Sequence, residues 1–408
     1  MANRIGAMVV IIIISFLTTG CWDRIEIDER GFVIGLAIDA IKEVPEKGSE
    51  GDSNNKKKRG KFVVTYQLVI PSGLKQGGST SGVAGGGSKA FFNMTLEGDT
   101  LTSIAAKLST KTSRAPFFEH LQVVLISEEV ARKQGAFADV IDYFLRDSEM
   151  RRSLKVLVVK GDAKQVLEVN PPNEKLPVKF ISSAAENTRK SSRMLAESRL
   201  GEVHEKLLKR ESYLIQVISA TKDMQDISIV GSALFDGQTN NLIGIIGGKD
   251  TAGINFIKEN IKGGVVNAEV DQQLIGYEIN WEKRSTRVDV SNPERLVFHI
   301  HIKTKGTIDQ SLEQLDLTKE ETITKLEEGI SKEVKRITDH VIHKLQKEYV
   351  RDVFDLELFL YQEHYPTWKK IKDDWEEGKK LFSKAKIEVT VDTEVQRSGS
   401  ILKSERSR

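Results

Sequence analysis

Between Thr318 and Tyr349, apolar residues fall at Ile323, Leu326, Ile330, Val334, Ile337, Val341, Leu345 and Tyr349, with Glu and Lys filling much of the rest. Steps of three and four put these positions on one face of a single long helix. A helix that is apolar on one side only must lay that side on a packed surface, and its neighbours in sequence supply one. Upstream lie β-rich runs at 227–235, 242–246, 263–270, 274–281, 285–290 and 295–308, and downstream an alternating run at 385–395. The long helix is therefore expected to dock on a C-terminal sheet with its charged face outward. Two shorter helices, around 353–361 and 368–382, fill the interval.

The first half of the chain interleaves the same two patterns. Runs at 31–39, 61–70, 90–96, 121–126, 154–159 and 213–218 carry the β-branched and aromatic residues of strands. Helical spacing appears at 100–110 and 138–146 and, less regularly, over 177–209. Ser127, followed by Glu128 and Glu129, has the signature of an N-cap with acids in the first turn. A Gly/Ser-rich stretch at 72–89 predicts a loop. The expected fold is mixed α/β (α+β) in three domains, each a β-sheet with packed helices. The divisions are an N-terminal α/β domain at 21–175 and a mainly helical middle region at 176–222, part of a second domain. A C-terminal α/β domain at 223–399, carrying the amphipathic helix 318–349, precedes a charged tail at 400–408.

Residues 1–20 read as a signal peptide. Arg4 supplies a basic start, Ala7 to Leu17 is apolar except for Ser15, and Gly20 precedes Cys21, the only cysteine of the chain. As a helix the apolar stretch spans roughly 16 Å at about 1.5 Å per residue, against a bilayer core about 30 Å thick. The expectation is cleavage between Gly20 and Cys21, with lipid on the Cys21 sulfur. The departure from the usual pattern is Thr18, three residues before the cysteine, where leucine is common; Leu17 lies one step further back.

The bulk numbers exclude several classes. With 408 residues, 29% charged and 39% hydrophobic, the chain has the composition of a globular protein. Loss of residues 1–20 removes one charge, Arg4, so the formal balance falls from +2 to +1, and nothing in it calls for nucleic acid. One cysteine excludes an intrachain disulfide framework. The pairs Gly73/Gly78 and Gly82/Gly87 have P-loop spacing, yet Ser79-Thr80 follow the first without lysine and Ser88-Lys89 follow the second in reversed order. His299 with His301, and His340 with His343, are spaced to share a face, but no H-E-x-x-H or cysteine ligand accompanies them. The basic run Lys56 to Arg59 reads as a solvated loop, with contact to anionic headgroups as the alternative. Neither a G-x-S-x-G motif nor any nameable carboxylate pair is present, so no catalytic, metal or cofactor residues are assigned.

Longer blocks are more specific. Cys21-Trp22-Asp23 with Glu26 and the strand ending at Asp39 form one; His120, then Ile126 to Gly135, with Phe144, Arg146-Asp147 and Glu149, another. A third is Gly231 to Phe235 with Leu242 and Gly244, and the fourth L-Q-K-E-Y-V-R-D-V-F from Leu345 with Pro366, Trp368 and Trp375. In this order and over nearly the whole chain they resemble the Ger(x)C family, lipoprotein C subunits of spore nutrient-germinant receptors. Departures are Lys249 to Gly253, Asp355 and the 72–89 loop. The resemblance implies a non-enzymatic receptor subunit, lipid-anchored on the outer face of the spore inner membrane. It implies the receptor's A and B subunits as membrane-protein partners, with neither nucleic acid nor cofactor. Direct nutrient binding is the alternative role.

Overall fold

The computed structural model describes residues 29–41, 62–74, 89–223, 225–311 and 316–396. Within them the fold is mixed α/β, with two sheets and helices on their faces. The first is a nine-stranded sheet in the order β3-β2-β1-β5-β6-β7-β8-β9, with the short β4 paired to β1. Its strands are β1 (Arg30–Ala40), β2 (Phe62–Val69), β3 (Phe91–Gly98), β4 (Ala115–Phe117), β5 (Val123–Ser127), β6 (Lys155–Val159), β7 (Tyr213–Ala220), β8 (Ile227–Phe235) and β9 (Leu242–Gly247). The centre, β1-β5-β6-β7, is parallel, and antiparallel hairpins flank it on both sides. Parallel strands are covered on both faces, which is why β5 (VVLIS) and β6 (KVLVV) are buried along their whole length. Leu101, Ile104, Phe137, Ile141 and Val203 pack on one face, and Val166, Leu167, Val178 and Ile181 on the other.

Ser127 caps the helix Glu128–Arg132 as its sequence predicts, accepting from Val130 N. The middle segment 176–222, read as mainly helical, also delivers β7 to this sheet. Strands β8 and β9, grouped by sequence with the C-terminal part, hydrogen-bond into the first sheet as well.

The second sheet is β10 (Val265–Val270), β11 (Gln273–Asp289), β12 (Val297–Ser311) and β13 (Lys386–Val395), antiparallel except for the β12–β13 pair. The runs expected as separate strands at 274–281 and 285–290 are one strand. No breaker stands between them, and Glu282, Lys283 and Arg284 keep register with Thr304, Lys303 and Ile302 past an irregularity at Ile279/Trp281. The long helix, Glu320–Lys344, lies on this sheet as its periodicity requires, burying Ile323, Leu326, Ile330, Val334 and Val341. Sequence reading missed the helix Gly248–Lys258, buried from Thr251 to Ile257. It is wedged beneath the long helix so closely that a Cβ on Gly253 would stand 2.8 Å from the Ile337 carbonyl oxygen. Asn255 Nδ2 ties it to the first half of the chain by donating to Ser192 O at 2.9 Å and Met194 O at 2.8 Å.

Candidate functional site

The segment Leu345–Phe354 carries the most specific sequence block, and it builds the junction between the two sheets. The α-helix ends in a π-turn at Leu345–Tyr349, and Val350 then adopts a left-handed conformation, φ 54°. For a β-branched residue that is strained backbone, held only when its surroundings fix it. Before the turn, Gln346 Nε2 donates to Phe382 O and Ala385 O, each at 2.8 Å. The Tyr349 ring lies on Gly244 of β9, where a Cβ would stand 2.4 Å from its Cε1. Two blocks about a hundred residues apart thus meet because one supplies a ring and the other no side chain.

After the turn, Arg351 reaches the first sheet. Its Nε donates to Asp236 Oδ2 at 2.7 Å, just beyond β8, and its Nη2 to Glu377 Oε1 at 2.8 Å. Asp352 caps the helix Leu356–Glu363, accepting from Phe354 N at 2.9 Å and Glu357 N at 2.8 Å, and it accepts from Trp375 Nε1 at 3.0 Å. Glu376 accepts from Asp352 N at 2.6 Å and from Ser212 Oγ, next to β7, at 2.7 Å. Burial pushes the Glu376 carboxyl up to about 8. It likewise raises Glu357, on the adjoining helix, to about 7, helped by the charge of Asp352. Burial opposes ionisation of Asp236, yet the Thr239 backbone and hydroxyl donors and Arg351 hold its carboxyl below the ordinary range. These acids are engaged with backbone, hydroxyl, indole and guanidinium groups of the chain. The arrangement fixes one sheet against the other.

One concavity adjoins these elements and a second lies away from them. A small pocket of about 170 Å³ at the junction is lined by Glu197, Glu202, Lys206, Tyr213, Lys258 and Val353. The Tyr213 hydroxyl is buried without a hydrogen-bond partner. An open cleft of about 920 Å³ lies on the first sheet's helical face, lined by Phe62, Thr100, Lys133, Tyr143 and Arg146.

Among the described residues, no group of His, Cys, Asp and Glu is placed to hold a metal ion. His299 lies 2.9 Å from Glu388 and His301 3.2 Å from Asp392. His340 lies 3.4 Å from Asp250, and His120 packs against the adjoining rings of Phe32 and Phe117. Gly20, Cys21 and the run 56–59 lie outside the described residues, as does most of the glycine-rich loop. No helix among the described residues is long and apolar enough to cross a membrane.

A mixed α/β protein of two sheets, locked by a C-terminal junction and without a metal-binding cluster among the described residues, is the class that this geometry defines. Comparison with known proteins makes it specific. Residues 23–220 match the spore germination protein N-terminal domain, and residues 230–399 match the spore germination B3/GerAC-like C-terminal domain. The chain belongs to this spore germination family, as the Ger(x)C blocks indicated. It is 31% identical to spore germination protein YndF of Bacillus subtilis (strain 168), over 98% of each chain. It is 26% identical to spore germination protein B3 of the same organism, over 94% of this chain and 95% of that one. The crystal structure of the GerBC protein shares the fold, with a TM-score of 0.57 and 24% identity over 82% of this chain and 93% of that chain.

Proposed function

We propose that this chain is a non-enzymatic lipoprotein subunit of a spore nutrient-germinant receptor, anchored through Cys21 after cleavage at Gly20. It works as an interaction and scaffold component beside the A and B subunits, on the outer face of the spore inner membrane. The observation that carries this reading is the family match through both halves of the chain, 23–220 and 230–399. The junction is in keeping with it, since it spends the most specific block on holding two sheets in one relation. The test is loss of spore refractility in a deletion strain. Germination should fail or slow for one set of nutrients and stay near normal for triggers that bypass receptors. Equal failure with every trigger would place the protein downstream of nutrient sensing and overturn the reading.

Direct nutrient binding has one observation in its favour: the junction pocket with the unpartnered Tyr213 hydroxyl. Calorimetric titration of the purified protein with the nutrients that fail in the deletion strain tests it. Heat of binding that Tyr213→Phe weakens would support it, and absence of heat with all of them would remove it.

A further inference from the structure

Three helices gather at one edge of the first sheet. Helix Leu200–Lys209 is tied to the turn after it by Lys206 Nζ on Glu211, at 2.8 Å. The same ammonium lies 3.9 Å from Asp355, at the head of helix Leu356–Glu363, which the helix Tyr365–Ile371 follows. Their outer surface carries exposed large side chains. Leu208 is 70% exposed, and Tyr361 and Tyr365 are each 48% exposed. Tyr361, Tyr365 and Trp368 form one aromatic cluster, with ring centroids 4.9 to 5.8 Å apart. Lys369 and Lys370 are exposed in the same stretch as these rings and Lys209 and Arg210 at the end of the first helix, against the exposed acids Glu202, Glu205 and Glu363. Amphipathic rings with lysine and arginine around them make up the composition of a membrane–water interface.

The position of this patch relative to the chain start matters as much. Strands β1, β5, β6 and β7 run parallel, with Gly35 level with Val123, Val123 with Lys155, and Val158 with Val217. Arg30, at the start of β1, therefore lies at the same edge as Ser212, three strand spacings away, or about 14 Å at ~4.8 Å each. Cys21 precedes Glu29 by eight residues, a span of at most ~29 Å when fully extended. A lipid on Cys21 would hold this edge, and not the opposite one, toward the bilayer.

We propose that this edge docks on the phospholipid surface. Tyr361 and Tyr365 enter the boundary between headgroups and acyl chains, and Lys209, Arg210, Lys369 and Lys370 meet anionic headgroups. This rests on the anchored-lipoprotein reading above. The lipid gives residence at the membrane; the patch gives orientation.

The test uses the full lipoprotein in phosphatidylcholine vesicles with and without phosphatidylglycerol. A nitroxide is placed through Tyr365→Cys or, at the opposite edge after β6, through Lys160→Cys; the Cys21 thioether cannot react. The ratio of the label's accessibility to oxygen over a water-soluble nickel complex should be several-fold higher at 365 than at 160. Adding Lys369→Glu and Lys370→Glu should lower the 365 value, most with phosphatidylglycerol present. Flotation with the vesicles reports the anchor separately. Protein that floats but has a water-like label at 365 overturns the docking alone, and protein that does not float overturns the anchor and the docking with it. A 365 label that is water-like on vesicles but shielded in native membranes would assign the patch to a protein partner instead.

Discussion

Glu376 sits between donors from distant parts of the chain, Ser212 Oγ and Asp352 N, so its protonation is linked to folding. Burial raises its carboxyl from 4.5 to about 8. Below the unfolded value both states hold the proton. Between the two values the folded state binds more protons than the unfolded one, so stability falls as pH rises, and the loss is complete above the folded value. The loss is on the order of a few kcal/mol. Urea denaturation should give a higher midpoint at pH 5 than at pH 8, and Glu376→Gln should flatten that difference. Gly244 gives a second expectation at this scale. Gly244→Ala pushes a methyl into the Tyr349 ring and should cost about 1–3 kcal/mol as overpacking, read as a lower melting temperature. Little of this was legible in advance. Ser127 was, because a cap and its helix are adjacent in sequence. Arg351 and Asp236 were not, because 115 residues separate them and charge alone does not choose among distant acids.

At the scale of elements, the long helix was the plainest signal because its periodicity is strong and its outer face is charged. Ile330→Asp buries a carboxylate without a partner and should cost several kcal/mol. Glu328→Lys, on the exposed face, should change the melting temperature little, and equal loss for both would contradict the docking. The helix Gly248–Lys258 stayed hidden for the opposite reason. It is surrounded, so Thr251, Ala252, Ile254, Phe256 and Ile257 are buried without a polar stripe to set the period. Its four leading residues, Gly248-Lys-Asp-Thr, look like the turn that a strand reading expects. Gly253→Val should separate it from the long helix, lowering the thermal midpoint and raising the affinity for a hydrophobic dye.

For the whole molecule, the question is whether two sheets unfold as one. An apolar core that includes Leu234 and Ile246 joins them, and among the polar ties Arg351 meets Asp236, just beyond β8, and Glu376 and Glu377 from the C-terminal part. Arg351→Ala leaves the buried Asp236 without its cation, a loss of about 3–5 kcal/mol for a buried pair. The denaturation curve should then split into two transitions, one per sheet, where the parent shows one. The mixed architecture and nearly all strands were readable from local pattern. Sheet membership was not: β8 and β9 join the first sheet although their sequence block opens the C-terminal half, since strand pairing is decided by contacts that local pattern does not encode.

Strand β13 pairs with β12 over ten registered positions, from Val297 with Lys386 to Gly306 with Val395, and it is the last described strand of the chain. The second sheet is therefore unfinished until Val395 has been added. A nonsense mutation anywhere in the last described stretch would do more than shorten the product. It would leave the long β12 with a naked row of amides and carbonyls, an adhesive surface for another chain. Such truncated products should accumulate as insoluble aggregates and be degraded, behaving genetically like full deletions.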